Sequence, residues 1–465
     1  MSASHDLQIR PLPYRADGCT LFAAVRQLPG AVFLDSGAAR GLGGRFDIIA
    51  ADPDSTLGLR LPPQPTAAQV EDFFNKLTVI HEQSAVDGPA TGLPFSGGLI
   101  GHIGYDACAT LHGPAAVSPA VGHGAMPSAR ADYYRWAILQ DHNTRESCLV
   151  AEPGVAASCL DRVMALLAAP PPAPAPFALL QPFRANLESG RYATAFERLQ
   201  AYIRAGDCYQ ANLARRFAAS FDGDPFTAYR QLREVAGGAF SAYLEETPGQ
   251  ALLCLSPERF LAADRGEVLT QPIKGTRPRH PDPGQDRRIA HELQHSSKDR
   301  AENLMIVDLL RNDIGRNCRI GSVQVETLFE LRSYPGVHHL VSSVRGQLAP
   351  GKSVLQLLRD SLPGGSITGA PKRRAMEIIA ELEPDSRQAY CGSVFYLSRN
   401  GRMDSNIAIR SLVADRGALL CWGGGGIVAD SQCEQEMQET LDKVGPLMQT
   451  LEREALKTPV DAAPQ

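Results

Sequence analysis

Two pairs of acidic residues stand at helical spacing in this chain: Asp299 and Glu302, three apart, and Glu436 and Glu439, three apart with Lys443 four residues further on. If each segment is helical, each pair shares one face. Two such faces could hold one magnesium ion between them, because that cation takes oxygen ligands and keeps positions open for water and substrate. The alternative is two solvated charged faces, with Glu439 and Lys443 making one favourable i,i+4 contact. Lys274, in Thr270-Gln271-Pro272-Ile273-Lys274-Gly275-Thr276, ends an apolar run. Buried beside other cations, a lysine loses proton affinity and becomes a nucleophile; exposed, it does not. Glu258 lies between two apolar runs, where burial would raise its pKa towards that of a general acid, or where it could simply pair with Arg259. The run Trp422-Gly423-Gly424-Gly425-Gly426-Ile427 reads as a strand that breaks into glycines, either a nest of N–H groups for an anion or a turn.

These residues need elements to position them. Ser431 followed by Glu434 is a capping-box signature, so the last helix is expected from Ser431 to about Leu456, with Cys433, Met437, Leu441, Val444, Met448 and Leu451 as its core stripe. A long helical block is expected from Asp286 to Arg311, with Leu304, Ile306 and Leu309 on the side away from Asp299 and Glu302. Tyr192, Phe196, Leu199 and Ile203 recur at spacings of 4, 3 and 4, which predicts a helix from Ser189 to Ala205 stopped by Gly206. Strands are expected at Tyr209–Phe217, Ala251–Leu255, Phe260–Ala263, Val268–Gln271, Val323–Leu331, His338–Leu348, Cys391–Ser398, Ser405–Val413 and Ala418–Trp422, and a hairpin joins Tyr133–Gln140 to Cys148–Val150. Further helices are expected at Ala67–His81, Ala156–Ala168 and Ala370–Leu382. Without a βαβ alternation the class is α+β, neither a Rossmann nor a barrel fold. The Ala/Pro run 168–176 cannot continue a helix or a central strand, so the chain divides into an N-terminal region 1–168, a linker 169–186, a main domain 187–456 and a tail 457–465.

Composition narrows the function. The chain has 465 residues, 44% apolar and 21% charged, enough for a sizeable core. A net charge of −5 argues against a nucleic-acid protein held by a positive field, so the ligand is expected to be small. The 10 cysteines are scattered without a CxxC, and there is neither a signal-like N-terminus nor a spanning apolar stretch, so the expectation is a cytoplasmic protein with free thiols and no membrane association.

The segments SPERF (256–260), PIKGT (272–276), KDRAENLMIVDLLRNDIGR (298–316), HHLVS (338–342), PGGSITGAPK (363–372), IAIR (407–410) and GGGGIVADS (423–431), in that order, resemble the chorismate-utilising enzymes. The resemblance covers residues 186–455 well. It reaches the N-terminal part more loosely, through Leu34-Asp35-Ser36 and Arg45-Phe46-Asp47. It implies large β-sheets packed in layers with helices outside, and N- and C-terminal parts intertwined.

Family membership leaves several reactions open, and two positions sort them. Anthranilate-forming members look like PIAGT where this chain has PIKGT, so the resemblance implies that Lys274 is a nucleophile and that chorismate is aminated at C4. Members that add water carry an activating lysine where this chain has Gln210. The competing readings are an anthranilate-forming enzyme and, from another class, a non-catalytic chorismate-binding subunit. The resemblance further implies Glu302 and Glu439 as direct Mg2+ ligands, with Asp299 and Glu436 close or acting through water. It implies Gly275 and Thr276 at the ring carboxylate, and Arg410, Tyr390, Gly424, Gly425 and Gly426 at the enolpyruvyl carboxylate. Lys443 adds charge nearby, Glu258 is the acid and His339 an acid/base or hydrogen-bonding residue. No ammonia-releasing site is recognisable in the chain, so a separate glutamine amidotransferase subunit is the implied partner. Ser36, Arg45 and Phe46, with Phe240 and Ser241, match a tryptophan pocket, although Ala239-Phe240-Ser241 departs from the family's Pro-containing segment there.

Overall fold

The computed structural model describes residues 7–37, 44–86, 92–112, 126–334 and 336–457. Two large sheets dominate, one of 13 and one of 10 strands, and every pairing in them is antiparallel. Strand alternation explains how they stack. In Val32–Asp35, Phe46–Ala50 and Gln250–Ser256, the residues Val32, Ile48 and Leu252 enter a core shared with Leu99, Phe260, Val344 and Phe395 of the smaller sheet. Their neighbours Phe33, Ile49 and Leu253 point the other way, into a second core closed by the helices Gly18–Val25, Ala157–Ala168, Pro225–Ala236 and Cys433–Lys457. Both faces of the larger sheet are therefore buried, which is why its strands read as continuous apolar runs.

The N-terminal and main regions are not separate bodies. In the larger sheet Val32–Asp35 pairs with Phe240–Thr247, and in the smaller one Gly98–Ile103 pairs with Ser393–Ser398. The linker region contributes the short strands Phe177–Leu179 and Arg184–Ala185 along Gln210–Gly223. Residues 458–465, most of the expected tail, lie outside the described residues.

Many expected elements form as read. The helix Ser189–Ala205 buries Tyr192, Phe196 and Leu199 and ends at Gly206, whose left-handed φ of 83° would cost an alanine roughly 1–2 kcal/mol. The helix Ala67–Ser84 starts from a capping box made by Thr66 and Gln69. Four expectations need correction. The block from Asp286 is two helices, Pro283–His295 and Ser297–Gly315, because Ser296 leaves helical geometry and caps the second one by accepting from the Asp299 N–H. On that second helix Leu304 is 46% exposed, and the buried stripe is Ile306, Val307, Leu310 and Ile314. Ser405–Val413 is not one strand: Met403–Asn406 belongs to the smaller sheet and Ser411–Asp415 to the larger. The last helix begins at Cys433, and the Ser431 hydroxyl donates to Glu436 Oε1 rather than forming a box with Glu434.

Candidate active site

A cavity of about 520 Å3 lies where the strands 273–278 and 418–427 meet the N-terminal turns of the helices Ser297–Gly315 and Cys433–Lys457. It brings together residues far apart in sequence: Glu258, Lys274, Gly275, Thr276, Asp299, Glu302, His339, Tyr390, Arg410, Gly424, Gly426, Glu436, Glu439 and Lys443. Gly425 stands behind its two glycine neighbours, where a Cβ would lie 3.0 Å from Glu436 Oε2 and 3.5 Å from Glu439 Oε1.

The glycine run forms neither the nest nor the turn read from sequence. Gly423–Gly426 continue the strand Ala418–Ile427 and pair along Asn212–Arg215, with no positive φ among them. The neighbouring strand Ser411–Asp415 pairs only as far as Cys421, so the other edge of the glycines opens on the cavity. Their value is closeness: a Cβ at Gly424 would fall 2.6 Å from Asn212 Oδ1 and 3.0 Å from the Tyr390 hydroxyl.

Lys274 Nζ rests 3.4 Å from the Ser366 carbonyl. Burial lowers its pKa and the Lys443 ammonium lowers it further, while the Glu258, Glu302 and Glu439 carboxylates oppose the shift. Glu258, buried at the joint between Gln250–Ser256 and Arg259–Asp264, is not the partner of Arg259, which binds Asp404 at 2.8 Å. Burial instead pushes the Glu258 carboxyl up to about 7, against the pull of Lys274. An amine shifted towards its neutral form and a carboxyl shifted towards its protonated form thus share one cavity.

Arg410 sits in the crossing between the two sheets, after Met403–Asn406 and before Ser411–Asp415, with a left-handed φ of 50° that is unusual for a side-chain-bearing residue. Its guanidinium makes no ion pair among the described residues, and burial alone depresses its pKa. An enclosed, uncompensated guanidinium fork is suited to a planar carboxylate. His339, hydrogen-bonded to Thr276 Oγ1 at 2.8 Å, is driven down to about 4 by burial and by Arg410 and His338, so it is neutral at pH 7. Tyr390 stacks on Trp422 at 6.2 Å.

Four carboxylates line the same side. Asp299 is held by Arg277 at 2.8 Å and Glu439 by Lys443 at 2.6 Å. Burial raises Glu302 and Glu436, and neighbouring carboxylates add to it. Burial would raise Glu439 too, but Lys443 turns the balance and its pKa falls. Glu436 Oε2 is buried with no partner among the described residues. Among the described residues no group of three or more acidic, histidine or cysteine side chains stands close enough to form a ready metal centre. The donor chemistry suits a hard cation: oxygen ligands only, mutually repelling, with one orphaned lone-pair site.

The residues matched to a tryptophan pocket by resemblance gather elsewhere. A cavity of about 270 Å3 between the sheets is lined by Arg45, Phe46, Phe240 and Ser241. Ser36 is next to it but committed, with its hydroxyl donating to the Phe46 carbonyl. Asn212 and Ser366, which also line the main cavity, were not singled out from sequence. The only sequence signal for Asn212 was its alternation with Gln210 on a strand.

A family model described as chorismate binding enzyme matches residues 31–449. Aminodeoxychorismate synthase component 1 of Klebsiella aerogenes is 45% identical over 450 residues, covering 95% of this chain and 98% of the relative. Anthranilate synthase component 1 of Streptomyces coelicolor is 37% identical over 78% of this chain and 75% of its own length. The crystal structure of anthranilate synthase component I from Streptococcus pneumoniae TIGR4 superposes with a TM-score of 0.74 at 29% identity, covering 87% of this chain and 92% of the other. The chain belongs to the chorismate binding enzyme family.

Proposed function

We propose that the chain is the chorismate-aminating component of an aminodeoxychorismate synthase, converting chorismate and ammonia to 4-amino-4-deoxychorismate and water. The observation that carries this reading is Lys274, with a lowered pKa, sharing the cavity with a Glu258 carboxyl raised to about 7. A pure binding subunit has no use for a buried amine shifted towards neutrality beside an acid shifted towards protonation.

The chemistry runs in two displacements. The neutral Lys274 amine attacks C2 of chorismate while Glu258 protonates the C4 hydroxyl, which leaves as water with a shift of the ring double bonds. Ammonia then bonds to C4 as the C2–nitrogen bond breaks, returning the electron pair to Lys274. The new ammonium gives its extra proton to the Glu258 carboxylate, which restores both groups. Arg410 and Tyr390 hold the enolpyruvyl carboxylate, and Gly275 leaves room at the ring carboxylate, since a Cβ there would lie 3.0 Å from Asp299 Oδ1. Thr276 and neutral His339 serve as hydrogen-bonding partners.

Glu302 and Glu439 would hold Mg2+ directly, with Asp299 and Glu436 close by or through water. The ion would supply positive charge for the ring carboxylate. Ammonia comes from a separate glutamine amidotransferase subunit, and the product serves p-aminobenzoate and folate formation. We read the setting as the cytoplasm, a reading that the 10 unpaired cysteines support. Among the described residues no helix is long and apolar enough to cross a membrane. Tryptophan is the ligand that the family resemblance implies for the smaller cavity.

The test is product analysis by liquid chromatography and mass spectrometry after incubation with chorismate, Mg2+ and ammonium salt. 4-Amino-4-deoxychorismate is expected; anthranilate as the main product would overturn the assignment.

A further inference from the structure

We propose that Asn212 binds the ammonia that adds to the substrate, its side-chain oxygen accepting an N–H from the incoming nucleophile. The inference rests on the aminating reading above. Asn212 lies on the strand Gln210–Gly223, 6% exposed, on the face opposite Ala211 and Leu213, which pack against outer helices. Asn212 lines the cavity, and among the described residues its buried Oδ1 accepts no hydrogen bond. An unpaired buried acceptor costs free energy unless a ligand supplies the missing donor.

Its position is defined from both sides. On one, Asn212 Oδ1 and the Tyr390 hydroxyl approach the same point over Gly424. On the other, the Arg387 guanidinium donates to the carbonyls of Asn212 at 2.9 Å and Ile367 at 3.0 Å, and the Asn212 N–H donates to Thr368. That ties Asn212 to the segment whose Ser366 carbonyl meets Lys274.

The chemistry of the reactants selects the occupant. Chorismate offers two carboxylates and an ether, all acceptors, and one donor, the C4 hydroxyl. That hydroxyl leaves as water in the first displacement, so at the second one ammonia is the donor that arrives. A neutral amide oxygen favours ammonium, which cannot attack, less than a carboxylate would.

The experiment measures KM for ammonia and for chorismate separately in wild type and Asn212→Leu, with intact-protein mass spectrometry of the Lys274 adduct formed without ammonia. An ammonia KM raised about tenfold is expected, with chorismate KM and the rate of adduct formation within about twofold. An unchanged ammonia KM overturns the proposal. So does a rise in the chorismate KM or slowed adduct formation, either of which would place the amide on a carboxylate or on the C4 hydroxyl. Adduct formation also reports an intact site, and Asn212→Ala, which only removes atoms, is read in the same way if the leucine variant does not fold. Product identity in wild type tests the aminating reading independently, since anthranilate formation would also consume ammonia and leave the KM comparison readable.

Discussion

The two cavities named in this chain differ less in size than in how their polar groups are used. In the smaller one, Arg45 is spent on Asp141 at 2.6 Å, Arg259 on Asp404 at 2.8 Å and Asp35 on Arg233 at 2.6 Å, and the Ser241 hydroxyl donates to the Gly238 carbonyl. Arg402 is the one charged residue lining it that makes no ion pair among the described residues. In the larger cavity, among the described residues, Arg410 has no counter-charge and Glu436 Oε2 and Asn212 Oδ1 have no partner, while Lys274 and Glu258 are both shifted towards neutrality. Satisfied polar groups hold a fold together. Unsatisfied ones cost stability and persist where a ligand completes them.

That contrast breaks most readily at its two most exposed assumptions, the metal and the nucleophile. Chelation of divalent ions is expected to abolish turnover, and Mg2+ to raise the thermal midpoint of wild type but not of Glu439→Ala. Glu434→Ala, an exposed change on the same helix, should retain both responses; equal responses of Glu439→Ala and wild type would remove the carboxylate face from the metal site. Lys274→Ala is expected to lose more than about 10³-fold in turnover and the mass shift of the chorismate adduct, with chorismate affinity largely kept. Normal product formation by that variant would mean that ammonia adds without a covalent relay.

Much of this site was legible in sequence because its motifs are local. Asp299 with Glu302 and Glu436 with Glu439 needed only helical spacing, and Ile273-Lys274-Gly275 only a strand end. What was illegible is non-local. Four glycines in a row carry no sign that they run extended along Asn212–Arg215, because the partner strand lies more than 200 residues away. The crossing at Ile407–Arg410 reads as the middle of one strand, since Ile407 and Ala408 are buried whichever sheet owns them. Ser296 interrupts a helical pattern without proline or glycine, by capping the helix that starts at Ser297. Likewise, the Ala/Pro run reads as a boundary in the sequence, yet strands from both sides of it share both sheets.

The contrast sharpens with pH. Lys274 must be neutral, so the first step should speed up as pH rises through its lowered pKa. Glu258 must be protonated, so the same step should slow above about 7. With ammonia held saturating as the free base, kcat/KM for chorismate is expected to fall about tenfold per pH unit on the alkaline side. Glu258→Gln should be slower by about 10²–10³ and lose that alkaline limb. A limb that survives the substitution would belong to another group. Arg410→Lys is expected to raise the chorismate KM by about 10- to 100-fold although charge is kept, because a point charge cannot replace a two-pronged contact. An unchanged KM would move the carboxylate elsewhere.

The smallest effect is expected in the smaller cavity. Arg45 is 48% exposed on its side chain and stacks over Phe46 at 4.6 Å, so losing its pair with Asp141 should cost no more than about 1 kcal/mol. Arg45→Ala should therefore leave kcat/KM for chorismate within about twofold of wild type. The result is informative because the cavities are mechanically joined. Phe240, which lines the smaller one, pairs with Ser256, and the Ser256 hydroxyl accepts from the Glu258 N–H while donating to the Ile407 carbonyl. A disturbance that reached Phe240 would arrive at the acid through one strand pair. If Arg45→Ala lowers kcat while Phe240→Leu lowers it further, and both move the alkaline limb assigned to Glu258, the smaller cavity acts on the chemistry and the division between the two fails. If both variants keep the wild-type pH profile, the strand pair is a strut and the two cavities are independent.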